Sequence, residues 1–333
     1  MQKGTMLIKI LKYLLFLTIG GILLVLAFKN QDPLELLKNL LEVKFNWVLL
    51  SILFGALAII SRGMRWNLLL KSLGHSSSSK ANSIYATAVG YFTNIAIPRA
   101  GEITRCTSLS QVEKIPINQL FGTIILERII DLIILVLLIG VVFLLKFNQI
   151  SDFFLSVGDN NGSNSVLNIL FWLIISITFC FILLFIFRKL IKKMSFYEKI
   201  QNFFQGLKEG LSSITKIKNK SAFWMHTIFI WLMYFMMTYI CFMSIPETEH
   251  LTMSDGLFIM VVGGLGMVVP TQGGIGSYHL AVKIGMLTLG IAAVPALLFA
   301  FTVHTAQTLM TMLFGSISLL LLFVTKKKSN AAS

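Results

Sequence analysis

The hydrophobic positions of this chain fall into long apolar runs that are separated by short polar segments. Six runs approach or exceed the roughly 20 residues that a helix needs to cross a bilayer. They predict membrane spans at 10–28, 45–65, 119–145, 166–187, 222–243 and 295–324. Two further apolar stretches, 82–116 and 254–290, are each interrupted by a proline followed by glycine. The pattern predicts an all-α polytopic membrane protein.

The charges between the runs orient the predicted spans. Segment 188–220 carries nine Lys and Arg residues against two acids, and three lysines, 326–328, follow the last span. Cytoplasmic segments are enriched in Lys and Arg, so this segment and the C-terminus are predicted to be cytoplasmic. Segments 146–165 and 244–254 carry one Lys and none, and are predicted to lie outside. With the first span uncleaved, the N-terminus is also cytoplasmic.

This orientation makes each interrupted stretch begin and end on one side of the membrane. Residues 82–116 return to the cytoplasm and residues 254–290 return to the outside, as re-entrant hairpins or as pairs of very short crossings. The halves, about 1–146 and 166–325, then have opposite orientations within one membrane domain, 1–333. Six full spans and two opposed hairpins in an inverted repeat are typical of transporters. Irregular backbone at membrane depth must be covered by protein or water, so the tips are predicted to meet near the midplane.

The composition agrees with the prediction of a polytopic membrane protein. The chain has a net charge of +14, 56% apolar residues and a mean hydropathy of +0.82. The basic residues lie at span ends, which indicates topology rather than nucleic-acid binding. The cysteines show no metal or disulfide spacing, no catalytic motif is present, and no cofactor is expected, so the protein is not expected to be an enzyme. Segment 195–218 has apolar residues three or four apart and is predicted to be an amphipathic helix on the cytoplasmic surface.

The interruptions are two related motifs 172 residues apart, in segments 97–102 and 269–274. Paired breaks in corresponding halves indicate the binding site of a transporter. The half-helix after each break points its N-terminus into the bilayer, where free N–H groups and the helix dipole favour an anion. Arg99 adds a planar fork suited to phosphate. The predicted headgroup site comprises Asn94, Arg99, Glu102, Arg105, Pro270, Gly273, Gly274 and Gly276.

Arg99, Glu102 and Arg105 follow Pro98 at three-residue spacing and are predicted to share one face of the returning half-helix. In the alternative interpretation, Arg99 and Glu102 pair with each other or with neighbouring helices and lock the hairpin. Asn94 precedes the break and is predicted to hydrogen-bond the freed backbone. The glycines of the second motif would let a ligand approach its backbone closely.

Glu127, Arg128 and Asp131 lie inside the third predicted span. The two acids share a face at i,i+4, which is unfavourable unless a cation lies between them. Arg128 is predicted to pair with Asp131, and Arg99 or Arg105 with Glu127. Two interpretations remain open: a cavity-lining network or proton relay, and a buried structural salt-bridge cluster.

Six more polar residues lie in or beside apolar runs. Arg62 and Arg65 end the second span; they are predicted to extend to the interface, and the alternative is an entry site for an anionic headgroup at the cytoplasmic mouth. His279 and Lys283 share a face after the second break, where they meet an anion or where Lys283 reaches the outer interface. Two lone histidines, His226 and His304, are predicted to be packed core residues.

Segments 62–66, 94–105, 127–131 and 270–276 occur together in an order and spacing that resemble the lysylphosphatidylglycerol synthase transmembrane-region family. The resemblance covers nearly the whole chain. In the two-domain synthases of that family, the membrane region is similar to a lipid flippase and a soluble domain carries the aminoacyl transfer. The chain ends at Ser333 without such a domain, so the resemblance implies lipid movement or lipid-linked glycan handling rather than synthesis.

The expected function is therefore translocation of an anionic phospholipid or polyprenyl-phosphate lipid across a bacterial cytoplasmic membrane. One alternative is a proton-coupled transporter of a small anion. Another is an accessory subunit of a membrane glycosyltransferase pathway, in which case a glycosyltransferase or a second copy of the chain is the partner. No nucleic-acid partner and no metal site are expected.

Overall fold

The computed structural model describes residues 2–29, 33–151 and 217–331, and the regular secondary structure of these residues is entirely helical. The α-helices of the described residues are α1 Gln2–Phe28, α2 Pro33–Leu41, α3 Phe45–Ser72, α4 Lys80–Ala96, α5 Gly101–Glu113, α6 Ile117–Leu145, α7 Lys220–Tyr239, α8 Met253–Gly266, α9 Ser277–Thr288 and α10 Ala293–Ala331. Short 3-10 turns lie at Ile240–Ser244, Pro246–Thr248 and Gln272–Gly274.

The long helices confirm that the chain is a polytopic membrane protein. Helices α3, α6, α7 with its following turn, and α10 are each long and apolar enough to cross a bilayer. Helix α1 extends over the first predicted span. The predicted span 166–187 lies outside the described residues, as does the predicted amphipathic helix 195–218 except for its last two residues.

Both interrupted stretches form pairs of packed helices. Stretch 82–116 contains α4 and α5, and stretch 254–290 contains α8 and α9. These four helices have 12 to 17 residues, which gives each a length of about 18–26 Å. A bilayer core is about 30 Å thick. Each arm is therefore too short to cross alone, as a re-entrant hairpin requires.

The two hairpins enter the bundle from opposite ends. Lys326, near the end of α10, donates a hydrogen bond to Gln111 at the base of the first hairpin (2.9 Å). Asp255, at the base of the second hairpin, pairs with Lys146 (2.5 Å). Helix α6 starts at Ile117 beside the first base and ends before Lys146 beside the second. The predicted opposed arrangement is confirmed.

The tips of the hairpins meet inside the bundle. The guanidinium of Arg99 donates to the backbone carbonyl of Val268 over 3.1 Å. Gly273 lies against the backbone of Ile95, such that a Cβ on the glycine would be 3.5 Å from the Ile95 Cα. The predicted contact between the tips is confirmed, and their position at the midplane stays a prediction.

Each hairpin packs into its own hydrophobic cluster. The cluster around the first contains Trp66, whose indole N–H donates to Thr123 over 2.8 Å. The cluster around the second contains Phe242 and Phe299, with ring centroids 5.2 Å apart. Each hairpin is thereby anchored in a close-packed apolar cluster of its own.

Candidate functional site

A small cavity lies beside the tip of the first hairpin, between α3, α4, α5 and α6. Its volume is about 20 Å³, which is roughly enough space for one water molecule. The lining includes Arg62, Arg105, Arg128, Glu102, Asn94 and Tyr91. Three guanidiniums thus line the cavity together with one carboxylate.

Arg65 lies behind this cavity, between the two acids of α6. Its Nε is 3.4 Å from Glu127 Oε1, and its Nη1 is 2.9 Å from Asp131 Oδ1. The predicted cation between the acids is therefore confirmed, and Arg65 supplies it. The prediction that Arg65 extends to the interface is wrong, because its side chain is fully buried. The guanidinium of Arg65 is thus paired with two carboxylates one helical turn apart, instead of being solvated by water at the membrane edge.

Arg62 is also buried rather than extended to the interface. Its guanidinium pairs with Asp131 and donates to the hydroxyl of Tyr234 over 3.2 Å. The Tyr234 hydroxyl is in turn 3.2 Å from that of Tyr91. Arg62 therefore links α3, α6, α7 and α4 inside the bundle, and the prediction of snorkelling is wrong here too.

Arg105 joins the first hairpin to α6. Its Nη1 is 2.8 Å from Glu127 Oε2, which confirms one of the two partners predicted for Glu127. The guanidinium carbon lies 3.9 Å from the centre of the Trp66 ring, a cation–π contact. The Nε and Nη2 atoms of Arg105 are buried and have no hydrogen-bond partner among the described residues. Arg105, which lines the cavity, therefore has two N–H donor groups that no described residue accepts.

The five buried ionic side chains form one network with one positive charge in excess. Arg62, Arg65 and Arg105 face Glu127 and Asp131, and each acid is held by two guanidiniums. Burying a charge is costly unless it is paired, so the excess favours an anion. The contacts match the salt-bridge interpretation of the two acids, and a proton relay through them stays a prediction.

Glu102 and Arg128 form a separate pair at the cavity rim. Arg128 Nη2 is 2.7 Å from Glu102 Oε1, and the side chains are 48% and 34% exposed. The predicted pairing of Arg128 with Asp131 is wrong, since Arg62 and Arg65 occupy that acid. Of the alternative interpretation, the pair of Glu102 with Arg99 is not found, whereas pairing with a neighbouring helix is confirmed for Glu102 by Arg128 of α6.

Arg99 is placed differently from the prediction. Helix α5 begins at Gly101, so Arg99 precedes the helix and does not share a face with Glu102 and Arg105. Its backbone has φ of 62°, the left-handed region that costs energy for a non-glycine residue. Its side chain is exposed and holds the carbonyl of Val268. Arg99 is thus an exposed cation at the contact between the tips.

Asn94 closes the break in the first hairpin, as predicted. Its side-chain oxygen accepts a hydrogen bond from the backbone N–H of Gly101 over 2.7 Å. The arms are so close here that a Cβ on Gly101 would overlap the Gly90 carbonyl and the Asn94 side chain. The N-terminus of α5, with its partial positive charge, therefore lies at the cavity.

The second tip is more closed than predicted. Gly273, Gly274 and Gly276 all have positive φ, as the sharp turn after Pro270 requires. Gly274 and Gly276 are buried, and a Cβ on Gly276 would overlap the α1 backbone at Gly20. The prediction that these two glycines expose backbone to a ligand is wrong in this conformation, because the bundle covers them.

His279 and Lys283 lie inside the second hairpin. Lys283 Nζ donates to the carbonyl of Ala27 over 2.5 Å and is buried, so it does not reach the outer interface. His279 lies next to His304, with ring centroids 4.7 Å apart, and His304 Nε2 is 2.8 Å from the Gly273 carbonyl. The prediction that His304 is a packed core residue is confirmed, because the side chain is buried.

Sequence reasoning missed three aromatic residues of the site. Tyr91 and Tyr234 complete the surroundings of Arg62, and Trp66 supports Arg105. Tyr91 precedes Asn94 by three residues and therefore shares its helix face, so periodicity could have identified it. Tyr234 comes from α7 in the other half, and no local signal indicates its contact. The described residues contain no group of three or more His, Cys, Asp or Glu that could hold a metal ion.

These features define a polytopic helical membrane protein with two opposed broken hairpins and an arginine-rich internal cavity. The sequence matches the family described as the lysylphosphatidylglycerol synthase TM region over residues 10–315, and the chain belongs to this family. It is also similar to UPF0104 membrane protein MJ1595 of Methanocaldococcus jannaschii, with 31% identity over 129 residues. That match covers 37% of this chain and 38% of the archaeal protein. No solved structure matches the chain.

Proposed function

We propose that this protein moves a phosphate-bearing lipid between the leaflets of the cytoplasmic membrane. The observation that carries the proposal is Arg105, a buried cation with two unpartnered donors beside a cavity that Arg62 and Arg128 also line. A planar guanidinium with free donors suits a phosphate oxygen. The N-terminus of α5 at Gly101 adds its dipole to the same volume.

Arg99 would bind the headgroup before the headgroup reaches the cavity. It is exposed and holds only a backbone carbonyl of the opposite tip, a neutral acceptor that a phosphate would outcompete. A headgroup that reaches the tips would therefore take Arg99 from Val268 and loosen the contact between the hairpins. Movement of one hairpin at a time would then give alternating access.

Family membership supports a lipid as the source of the phosphate. The matching family is named after the membrane region of an enzyme that modifies a phospholipid. The long helices also present many large apolar side chains on their outer surface, so acyl chains can stay in the bilayer while the headgroup crosses. A non-enzymatic role, a cytoplasmic location of both termini and the cytoplasmic membrane as the site of action belong to the same proposal.

A small free anion is the second candidate, and the cavity volume of about 20 Å³ favours it. The chemistry of recognition is the same, since both ligands offer phosphate oxygens. The two candidates differ in whether the ligand carries chains that must remain in lipid.

The test is lipid flipping in proteoliposomes with fluorescent phosphatidylglycerol and phosphatidylcholine analogues and a membrane-impermeant quencher. We expect protein-dependent quenching of the inner-leaflet pool, faster for phosphatidylglycerol. Arg99→Ala should slow it, and the paired change Arg105→Gln with Glu127→Gln, which removes the free donors without orphaning the acid, should abolish it. Lys44→Ala is the matched control, because it removes an exposed cation that pairs only with Glu249.

A second arm measures uptake of inorganic phosphate by the same vesicles. Flipping without uptake supports the lipid, and uptake without flipping of any lipid supports the small anion. Wild-type flipping rates in the Arg105→Gln, Glu127→Gln variant would contradict the assignment of the cavity. Absence of both activities would contradict translocation by the isolated chain and favour an accessory role beside a glycosyltransferase.

A further inference from the structure

His279 of the second hairpin lies beside His304 of α10, and hydrogen-bond partners define which ring nitrogens of the two histidines carry protons. A backbone N–H can only donate, so the bond between Gly276 N–H and His279 Nδ1 (3.3 Å) makes this nitrogen an acceptor. A carbonyl can only accept, so His304 Nε2 must donate to the Gly273 carbonyl. His279 is therefore in its neutral form with the proton on Nε2, because a ring that carries both protons has no acceptor left.

The environment of His279 offers nothing to balance a positive charge. Its side chain is 3% exposed, and its Nε2 is buried without a partner. The titratable groups around the ring are Tyr278 on the same helix and His304 on α10, with the Lys283 ammonium one turn away on α9 and bound to the α1 carbonyl of Ala27. Among the described residues, no carboxylate contributes to the electrostatics of either ring.

The nitrogen that would take a proton is also the one that caps α9. Gly276 is the N-cap residue of this helix, and its N–H loses its acceptor once Nδ1 is protonated. Gly276 packs directly on the α1 backbone at Gly20. An uncapped Gly276 beside an imidazolium therefore destabilises the contact of the second tip with α1.

From this geometry we propose that His279 is a proton-binding site whose occupation releases the tip of the second hairpin from α1 and from the first tip. A proton from water adds to the Nδ1 lone pair and gives an imidazolium, while the hydrogen bond from Gly276 N–H is lost and no covalent bond breaks. The arrangement described here is the deprotonated state. Repulsion from Lys283 at i,i+4 and the buried charge both drive the protonated ring toward water.

The proposal goes beyond lipid movement and does not depend on the nature of the transported lipid. It places the proton-sensitive group in the second hairpin rather than at Glu127 or Asp131, each of which is paired with two arginines. Proton binding at His279 would thus control when the tips separate, whatever the cavity of the first hairpin holds.

The test measures the distance between the tips, not transport. Spin labels at Ile97→Cys and Val269→Cys, both exposed positions on opposite tips, report the separation by pulsed electron paramagnetic resonance in nanodiscs after the native cysteines are replaced. We expect about tenfold more of the separated population at pH 5 than at pH 8. His279→Gln should remove this response, because Gln at this capping position accepts from Gly276 N–H and cannot take the proton.

Two controls make the result specific. His304→Gln keeps a donor for the Gly273 carbonyl and should leave the pH response in place. A label pair at Gln111→Cys and Lys327→Cys, at the neighbouring ends of α5 and α10, should show no pH dependence. A pH response that persists in His279→Gln, or a wild-type distance that is constant between pH 8 and pH 5, would overturn the proposal. Neither outcome bears on whether the protein flips lipids.

Discussion

The two hairpins solve the same backbone problem with different chemistry. In the first, Asn94 accepts from the N–H of Gly101, and in the second, His279 accepts from the N–H of Gly276. Each bond satisfies a backbone donor at the break, where no intrahelical partner exists. An amide side chain does not titrate, whereas an imidazole does. The two hairpins therefore satisfy a backbone donor at the break with side chains that differ in their response to protons.

The surroundings of the hairpins differ in the same way. The first is bound by five buried charged side chains, which belong to α3, α5 and α6. The second is held at its base by the ion pair of Asp255 with Lys146, and near its tip by the pair His279–His304 and the bond from Lys283 to a carbonyl, with no ion pair there among the described residues. A network of paired charges fixes one geometry, while hydrogen bonds to neutral groups are easier to exchange. The first hairpin is thus the fixed site of the molecule, and the second is the element suited to move.

The largest effect is expected from breaking the fixed network at Arg65. Arg65→Met removes the guanidinium that Glu127 and Asp131 share, so that each acid keeps only one of its two cationic partners, Arg105 or Arg62. We expect a loss of about 3–5 kcal/mol in the free energy of unfolding, measured by thermal or denaturant unfolding of the protein in detergent. Adding Glu127→Gln and Asp131→Asn should increase the loss, because the buried Arg62 and Arg105 would then have no carboxylate to pair with. A cost below about 1 kcal/mol for Arg65→Met would show that the network is hydrated rather than dry.

An intermediate effect is expected at the cap of the first hairpin. Asn94→Ala leaves the Gly101 N–H without its acceptor, so it should cost about 1–3 kcal/mol. The cost should be the same at pH 5 and pH 8, because no proton is involved. The comparison is His279→Gln in the same unfolding assay, which keeps an acceptor and should cost less than about 1 kcal/mol at pH 8. Equal costs for the two variants would contradict the parallel between the caps.

The smallest effect is expected at the rim of the cavity. Arg128→Gln breaks the pair with Glu102, in which both side chains are about a third to a half exposed. Such pairs contribute about 0–1 kcal/mol, so the stability should hardly change. Lipid flipping should fall nevertheless, since the cavity loses one of its three guanidiniums. A large loss of stability would show that Arg128 belongs to the fixed network.

The architecture was largely readable from the sequence. The length of the apolar runs predicts the membrane spans, the charges of the loops predict the orientation of these spans, and Pro98 and Pro270 mark the breaks. Contacts across a break were also predictable where they are local, as for Asn94 and Gly101, because only seven residues separate them. The requirement for a cation between Glu127 and Asp131 followed from helix geometry alone.

The identity of that cation did not follow from the sequence. Arg65 and Glu127 are 62 residues apart, and Arg62 and Tyr234 are 172 apart, so helix rotation and tilt decide whether these side chains meet. The same arginines at the end of an isolated span would extend to the interface. Arg99 was misplaced for a smaller reason: the helix begins two residues later than Pro98 alone suggests, after a residue with positive φ.

The contact between the tips also sets an order for biogenesis. Val268, which binds the guanidinium of Arg99, is synthesised 169 residues after it. At 5–20 residues per second this interval is roughly 10–30 s. During that time the first hairpin, with arms too short to span the bilayer, has no opposite tip to pack against. Its final insertion must therefore wait for the second half of the chain, so that membrane integration of the long helices and closure of the hairpins are separate events in the making of this protein.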